Sequence, residues 1–430
     1  MDKEKFFKTF DKVMFVFTIL YYTGTLNFFA GATVADNPTL NNASVSSTDT
    51  AILSFFQLIV YFATIVMTSV HYKKVIYLIT KRKFIWGLVA IIMLSFLWSD
   101  VPDIASRRGI VFFGTILFAL NIAARFTVRE QLFLLAWTMG FAIVINIVFT
   151  LALPWAGIES GEHQGAWRGV YSQKNVFARN MVLSSITFVL ATLASKTHRR
   201  LLLCGLGFSV LLILLSTSKG ALVVSVALLA LVQLFRSLRW NNSLLVPFLI
   251  LGVLLASTVI LLFIGNTETV VKLLGRDITL TGRTGIWSVV IGKIPQHPWL
   301  GYGYKSFWLG MAGDSADVWY ETFFMAPNSH NGFLDVAVET GLVGLSCFLL
   351  TFTKSCLTAI QWVRLNPTAE GLFPIMYLMF VLLNNLIEST ILDPAIFVLI
   401  LYTSITTAML VQPIPVQDSP QSINVHTLKA

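Results

Sequence analysis

The sequence has few charged residues: Asp, Glu, Lys and Arg make up 12% of its 430 positions, whereas a soluble domain carries roughly a quarter. This scarcity excludes an ordinary soluble domain. Instead, 56% of the residues are hydrophobic. They recur in runs of about 17–22 residues, which is the length that crosses the hydrocarbon core of a bilayer. The composition therefore predicts a polytopic, all-α membrane protein without a separate soluble domain.

Cysteine is also scarce. Its three copies occur singly inside apolar runs, at Cys204, Cys347 and Cys356. This scatter lacks the spacing of a disulfide framework or a zinc site, so we interpret the cysteines as packing residues. His163, His297 and His330 form no local metal motif, and the chain carries no nucleotide-binding signature. We therefore expect no bound metal and no other cofactor.

The apolar runs predict about 12 transmembrane helices. They lie at residues 13–32, 51–70, 84–99, 108–124, 131–153, 176–195, 201–217, 220–236, 245–264, 332–353, 371–388 and 394–412. We interpret residues 1–412 as one membrane domain, in which an extracytoplasmic loop, residues 265–331, lies between spans nine and ten. Residues 413–430 have the composition of a disordered cytoplasmic tail.

Most of the 30 Lys and Arg residues fall on one side of these spans if the N-terminus is cytoplasmic. Two examples are the basic connections at residues 71–83 and 196–200. Because basic residues concentrate in short cytoplasmic loops, topology explains the net charge of +9, and we expect no nucleic-acid partner. In this orientation the long loop and the segments around Arg168, Lys219 and Glu388 face outward.

The long loop is predicted to contain an amphipathic helix. Thr279 and Thr281 are candidate N-caps, and Pro295 and Pro298 end the helical pattern. One face is apolar; it comprises Ile286, Trp287, Val290, Ile291 and Ile294. We expect this helix to lie on the membrane or to cap the helix bundle.

Two residues of the loop are candidates for chemistry. Arg283 opens the predicted helix, where free N–H groups and a guanidinium together favour phosphate oxygens. His330, predicted to lie in the first turn of the next span, is a candidate general base because histidine exchanges protons near neutral pH. The alternatives are an arginine that reaches lipid headgroups and a histidine that only caps a helix.

Further polar residues lie at the outward ends of other spans. They are Arg168, Lys174, Asn175, Arg179, Lys219, Asn331 and Glu388. Arg179 is predicted one turn inside a span, where an arginine needs a polar cavity or a partner. Glu388 is the candidate carboxylate partner of His330, since neither Asp335 nor Glu339 shares its helical face. Interfacial anchoring is the alternative for Glu388 and for the group from Arg168 to Arg179, and a merely solvated side chain is the alternative for Lys219.

Three segments in this order resemble the O-antigen ligase/polymerase superfamily of bacterial envelope glycan assembly. They are STSKGA, GRTGIW…HPWLGYGYKSF and SHNGFLDVAVETGLVGL. The segment WRGVYSQKN is similar to one in the exopolysaccharide-polymerase branch. The resemblance covers about residues 160–350. The family usually has arginine where this chain has Lys219, which keeps the charge but loses the bidentate fork.

The resemblance implies a GT-C-type membrane glycosyltransferase. In-line attack on its donor would invert the anomeric centre, and the absence of a metal motif predicts a metal-independent enzyme. Its donor is a glycan linked to polyprenyl diphosphate, and it acts at the outer face of the bacterial inner membrane. His330 is then the base and Arg283 a catalytic diphosphate ligand. The polar residues at the other span ends are assigned to substrate binding. Partners are the bilayer, the glycan donor and acceptor, and other envelope polysaccharide assembly proteins.

The acceptor stays open at this stage. A polymerase extends a second lipid-linked repeat unit, and the WRGVYSQKN segment favours this reading. A ligase instead transfers the glycan to lipid A-core. A transporter of polysaccharide or lipid is the alternative from another class, but paired internal repeats typical of transporters are not visible in the sequence.

Overall fold

The computed structural model describes residues 3–26, 47–240, 243–244, 283–392 and 397–412. Within these ranges the regular structure is helical, with one isolated bridge between Ile158 and Trp167 and no strand. The helices are α1 Lys3–Tyr22, α2 Ser47–Lys81, α3 Lys83–Leu94, α4 Pro102–Arg125, α5 Val128–Ala152, α6 Pro154–Gly157, α7 Lys174–Ala194, α8 Arg199–Leu215, α9 Lys219–Ser237, α10 Arg283–Lys293, α11 Ala316–Thr322, α12 Gly332–Leu365, α13 Phe373–Asn385 and α14 Phe397–Val411.

A helix lies at every predicted span that falls within the described residues, which confirms the all-α class. Six of these helices are long and apolar enough to cross a membrane: α2, α4, α5, α7, α9 and α12. Shorter apolar helices occur at Lys83–Leu97, Ala369–Asn385 and Phe397–Val411. The predicted span 245–264, the caps Thr279 and Thr281, and the tail 413–430 lie outside the described residues.

Helix α7 is central to the bundle. In the most apolar stretch of α7, 83% of the residues are buried, compared with 22–56% in the other candidate spans. The helix packs against α5, α8, α9 and α13. A helix buried on all sides faces protein rather than lipid. Polar residues on α7 are therefore directed at the interior of the bundle, including Arg179, which is 8% exposed.

The long loop has a small hydrophobic core of its own. Ile286 and Val290 of α10 pack with Tyr302, Phe307 and Val318. This core also includes Val338 of α12, so the loop is fastened to a membrane helix. The α10 helix ends at Lys293, just before Pro295, as predicted. Helix α11 was not predicted.

The predicted apolar face of α10 is wrong at one position. Ile291 is 53% exposed because the helix packs through the neighbouring stripe that carries Ile286 and Val290. Trp287 is half-buried, and its indole N–H donates to the Ser329 carbonyl at 2.9 Å.

Helix α12 is broken at Gly341, whose φ of 66° and ψ of −174° are not helical. The loop segment 298–303 forms backbone hydrogen bonds with α12 residues both before and after the break. The amides of Tyr302 and Gly303 donate to the carbonyls of Val338 and Glu339 at 3.0 and 3.1 Å. Below the break, Leu342 N donates to the Pro298 carbonyl at 2.8 Å and Val343 N to that of Trp299 at 3.2 Å. The loop thus restores the hydrogen bonds that the helix loses.

Glycine is required at this junction. The dihedral angles of Gly341 fall in a region that is essentially limited to glycine, and a Cβ there would collide with the backbone of Trp299. We predict that Gly341→Ala lowers the free energy of unfolding by about 1–3 kcal/mol from backbone strain alone. Thermal unfolding in detergent, followed by tryptophan fluorescence, measures this loss.

The matched control is Gly207→Ala. Gly207 lies in α8 with open space around its Cα, so a methyl group there is neutral or stabilises the helix by up to about 1 kcal/mol. Equal melting temperatures for the two variants would show that the loop does not depend on the break.

Candidate active site

Several of the predicted site residues meet around one small cavity of ≈ 60 Å³, which we call the site cavity. It lies where α7, the start of α9, the start of α10 and the chain after α13 converge. Its lining comprises Asn175, Arg179, Val182, Ser218, Gly220, Ala221, Val224, Arg283, Asn384, Ile387 and Glu388. Four of the predicted site residues therefore line the same cavity: Asn175, Arg179, Arg283 and Glu388.

Glu388 joins the loop histidine to the loop arginine. Its Oε2 lies 3.4 Å from His330 Nδ1, and its Oε1 lies 3.3 Å from Arg283 Nη2. Arg283 also donates through Nη1 to the Ile387 carbonyl. All three side chains are only 17–18% exposed. The structure therefore contains a contact between His330 and Glu388, which the sequence offered as its candidate carboxylate partner.

The environment of Glu388 favours its ionised form. Burial alone raises the pKa of this carboxyl, but the hydrogen bond from His330 and the charges of His330, Arg283 and Arg179 outweigh burial, so the net pKa is lowered. A carboxylate can only accept hydrogen bonds. The proton in the His330 contact is then carried by Nδ1. In the neutral imidazole that a general base requires, the lone pair would therefore lie on Nε2.

The backbone around His330 is held in an uncommon conformation. His330 has a φ of 51°, in the left-handed region, and its N–H donates to Asn328 Oδ1 at 2.9 Å. The preceding Ser329 N–H donates to Asp335 Oδ1 at 3.2 Å. Asp335 Oδ1 also accepts from the indole of Trp308 at 3.0 Å. These bonds fix the histidine relative to both the loop core and α12.

The sequence predicted His330 in the first turn of α12, and this prediction is wrong. His330 lies two residues before Gly332, because Asn331 is the N-cap. Asn331 Oδ1 accepts from the amides of Phe333 and Leu334 at 3.0 and 3.3 Å. The cap excludes His330 from the helix and lets it turn towards Glu388. The Gly332 amide adds a bond to the Glu388 carbonyl at 3.2 Å.

Asn175 lies in the first turn of α7 and Arg179 one turn deeper, as predicted. Ser218 Oγ donates to Asn175 Oδ1 at 3.0 Å, which connects α7 to the α8–α9 turn. Lys219 is the first residue of α9 and is exposed. Its neighbours Ser218 and Gly220 line the site cavity, so Lys219 lies at the rim.

Five predicted residues lie outside the lining of the site cavity: His330, which contacts the lining residue Glu388, Lys219 at the rim, and Arg168, Lys174 and Asn331. Arg168 donates through Nε to the Ala156 carbonyl at 3.0 Å and through Nη1 to that of Ser172 at 3.3 Å, so it shapes the segment before α7. Lys174 begins α7. Asn331 uses its side-chain oxygen as the helix cap.

Asn384, Ser218 and Asp335 were not among the predicted site residues. Asn384 and Ser218 line the site cavity, and Asp335 holds the backbone beside the histidine. A signal for Asn384 exists in the sequence, since an amide inside an apolar span needs a polar environment. Asp335 was considered only as a direct partner of His330, and its contact with the backbone depends on the loop fold.

The site cavity carries excess positive charge. Two guanidinium groups, Arg179 and Arg283, and one carboxylate, Glu388, line it, and a buried charge imbalance of this sign favours an anionic ligand. Within the described ranges, no group of three His, Cys, Asp or Glu side chains is arranged to hold a metal ion. Metal independence stays a prediction.

Comparison with known proteins supports the superfamily that the motifs indicated. Residues 204–349 match the O-antigen ligase family. The chain is 25% identical to the exopolysaccharide production protein ExoQ of Rhizobium meliloti (strain 1021), over 76% of this chain and 77% of that protein. It is 23% identical to a general O-oligosaccharyltransferase of Acinetobacter baylyi (strain ATCC 33305 / BD413 / ADP1), over 64% of this chain and 51% of that protein.

The lowered pKa of Glu388 makes a stability prediction with a definite sign. A carboxyl whose pKa is depressed by folding stabilises the protein above its unfolded-state pKa of about 4.3 and loses that contribution as the pH falls through the folded value. We expect Glu388→Gln to lower the free energy of unfolding at pH 7 by about 1–3 kcal/mol. Melting temperatures of wild type and variant should converge as the pH is lowered below about 4.3.

Glu321→Gln provides the control, because Glu321 is exposed on α11. A difference between wild type and Glu388→Gln that is independent of pH would contradict an ionised Glu388.

Proposed function

We propose that this chain, as a relative of the O-antigen ligase/polymerase superfamily, is a membrane glycosyltransferase. It transfers a glycan from polyprenyl diphosphate and thereby polymerises exopolysaccharide or O-antigen repeat units. The observation that carries the proposal is the His330–Glu388–Arg283 contact beside a cationic cavity. It provides a base, a carboxylate that orients the base, and donors for an anionic leaving group.

His330 acts as the general base. With Nδ1–H directed at Glu388, the Nε2 lone pair is available to the hydroxyl of an acceptor sugar. Nε2 takes the hydroxyl proton as the sugar oxygen bonds to the anomeric carbon of the donor, and the bond from that carbon to the diphosphate oxygen breaks. A single in-line displacement of this kind inverts the anomeric centre and needs no covalent enzyme intermediate.

Arg283 and Arg179 stabilise the negative charge that develops on the departing diphosphate. Lys219 adds a third positive charge at the rim, and Asn175 offers a neutral donor. No nucleotide is required, because the diphosphate is already an activated leaving group. The site cavity of ≈ 60 Å³ is far below the 300–1,000 Å³ of ordinary ligand pockets, so it corresponds to an anion subsite rather than to the whole glycan pocket.

Direct substrate contacts of Arg168, Lys174 and Asn331 remain part of the proposal. Arg168 and Lys174 belong to the segment that leads into α7, and Asn331 adjoins the base, so an incoming glycan passes close to all three. Their observed bonds suggest that they also hold the walls of the site in place.

We further propose the arrangement in the membrane. About 12 spans of a GT-C-type fold would place both termini in the cytoplasm and the site at the outer face of the bacterial inner membrane. The distribution of basic residues supports this orientation. The loop 265–331 then forms one wall of the site, and spans that are distant in sequence form the others.

Repeat-unit polymerisation is favoured by the similarity to ExoQ, which is named for exopolysaccharide production and is matched over 77% of its length. Ligation to lipid A-core is the second candidate, because the matching family is described as O-antigen ligase and another relative is an oligosaccharyltransferase. A transporter is less well supported, since it has no need of a histidine oriented by a carboxylate.

We predict that His330→Ala lowers the rate of glycan transfer by about 10²–10⁴-fold, the usual contribution of a general base, while the protein remains folded. The measurement uses purified protein with a polyprenyl-diphosphate-linked oligosaccharide, with and without EDTA. His163→Ala is the control, because His163 is exposed and lies outside the site cavity. Wild-type transfer by His330→Ala would exclude this residue as the base, and loss of wild-type activity in EDTA would exclude metal independence.

The choice of acceptor decides between the two glycosyltransferase candidates. We predict that purified wild-type protein supplied only with the lipid-linked repeat unit produces a ladder of longer glycans, resolved by gel electrophoresis and mass spectrometry. Transfer that occurs only after lipid A-core is added would replace the polymerase by the ligase. Movement of intact donor across a vesicle membrane without any new glycosidic bond would favour a transporter.

A further inference from the structure

A second cavity, of ≈ 260 Å³, lies at the other end of the bundle, and we call it the basic cavity. It is formed by the α2–α3 junction, α12 and α14. Its position follows from α12, which begins beside His330 and contributes Ser355 to this cavity. Ser355 lies about four helical turns beyond the break at Gly341, roughly 20 Å along the helix. We infer that the basic cavity and the site cavity lie towards opposite membrane surfaces.

The basic cavity contains a buried arginine. Arg82 is 6% exposed, and its guanidinium donates to Thr407 Oγ1 at 3.1 Å, to Ser355 Oγ at 3.2 Å and to Thr406 Oγ1. The hydroxyls of Ser355 and Thr406 in turn donate hydrogen bonds to backbone carbonyls of their own helices. The hydroxyls thus orient the guanidinium, but they accept hydrogen bonds from only three of its five N–H groups.

No described carboxylate balances this charge. Lys81, Lys83 and Lys354 also line the cavity. None of the ion pairs formed by the described residues includes these lysines or Arg82. Hydroxyl dipoles can hold a buried cation, but they leave its net charge uncompensated. Four cationic side chains around one cavity at a membrane surface therefore favour an anionic ligand.

The mouth of the basic cavity favours an amphiphile over a free ion. Lys81, Lys83 and Lys354 are exposed, whereas the adjacent rim is apolar, since Phe84, which is 43% exposed, and Leu410 line the same cavity. A phosphate enters among the cations while an acyl chain lies against this apolar rim. Basic pockets between membrane helices commonly hold lipid headgroups in this way.

We propose that the basic cavity binds a phosphate-bearing anion, and that its occupant in the membrane is the headgroup of an anionic phospholipid. The guanidinium of Arg82 contacts the phosphate from inside the cavity, and Lys81 and Lys354 contact it from the rim. The lipid links α2, α3, α12 and α14 at the surface opposite the site cavity. This role is independent of the reaction proposed above.

The test measures lipid retention by the full-length protein. Native mass spectrometry of detergent-solubilised protein, titrated with phosphatidylglycerol or phosphatidylcholine, should show preferential retention of phosphatidylglycerol. Lys354→Gln should weaken that retention about fivefold, as expected for one basic residue near an anionic lipid. Lys354→Arg should restore it. Rim lysines are used because Arg82 variants are expected to impair folding.

Lys196→Gln is the matched control, since Lys196 is exposed and lies in the connection between α7 and α8, outside the cavity. The proposal is overturned if wild type retains both lipids equally or if both glutamine variants lose phosphatidylglycerol to the same extent. A parallel titration with inorganic phosphate separates the sources. Full displacement of phosphatidylglycerol by millimolar phosphate would overturn the assignment to a lipid.

Discussion

The geometry of the candidate site depends on a single carboxylate. Glu388 accepts from His330 and pairs with Arg283, so it connects the end of the loop, the start of α10 and the chain after α13. Arg179 adds to the positive potential around it. Removing this charge would leave two guanidinium groups facing each other across a small cavity, a costly arrangement away from bulk water. The same ionised group also determines which nitrogen of His330 carries a proton.

The two ends of the bundle solve the problem of a buried arginine differently. Arg283 has a carboxylate as its partner, which fixes its position and tempers its charge. Arg82 is surrounded by hydroxyl groups that orient it without neutralising it. Both arrangements satisfy the rule that a buried arginine in a membrane protein needs polar or charged partners. They differ in how much positive charge remains for a ligand, and this difference separates the proposed active site from the proposed lipid-binding site.

Much of this arrangement could be read from the sequence, because span positions follow from local hydrophobicity and the end of α10 follows from proline. Glu388 could be named from the sequence only as a candidate partner of His330, and their contact depends on His330 lying before the N-cap of α12. Other features depend on tertiary contacts that no local pattern contains. They include the exposure of Ile291, the short helix α11, the exclusion of His330 from α12 by its Asn331 cap, and the bonds that commit Arg168 to its own segment.

The break at Gly341 would set the height of His330, the proposed base, relative to the bilayer. Because the loop backbone is bonded to both halves of α12, it cannot slide along the helix without losing several hydrogen bonds at once. His330 is thereby registered to a membrane helix almost as firmly as a residue of that helix. A lipid-linked substrate diffuses in two dimensions with its head confined to a narrow layer. A loop held rigidly in register would meet every such headgroup at the same depth. The substrate would then reach the site by lateral diffusion and rotation alone.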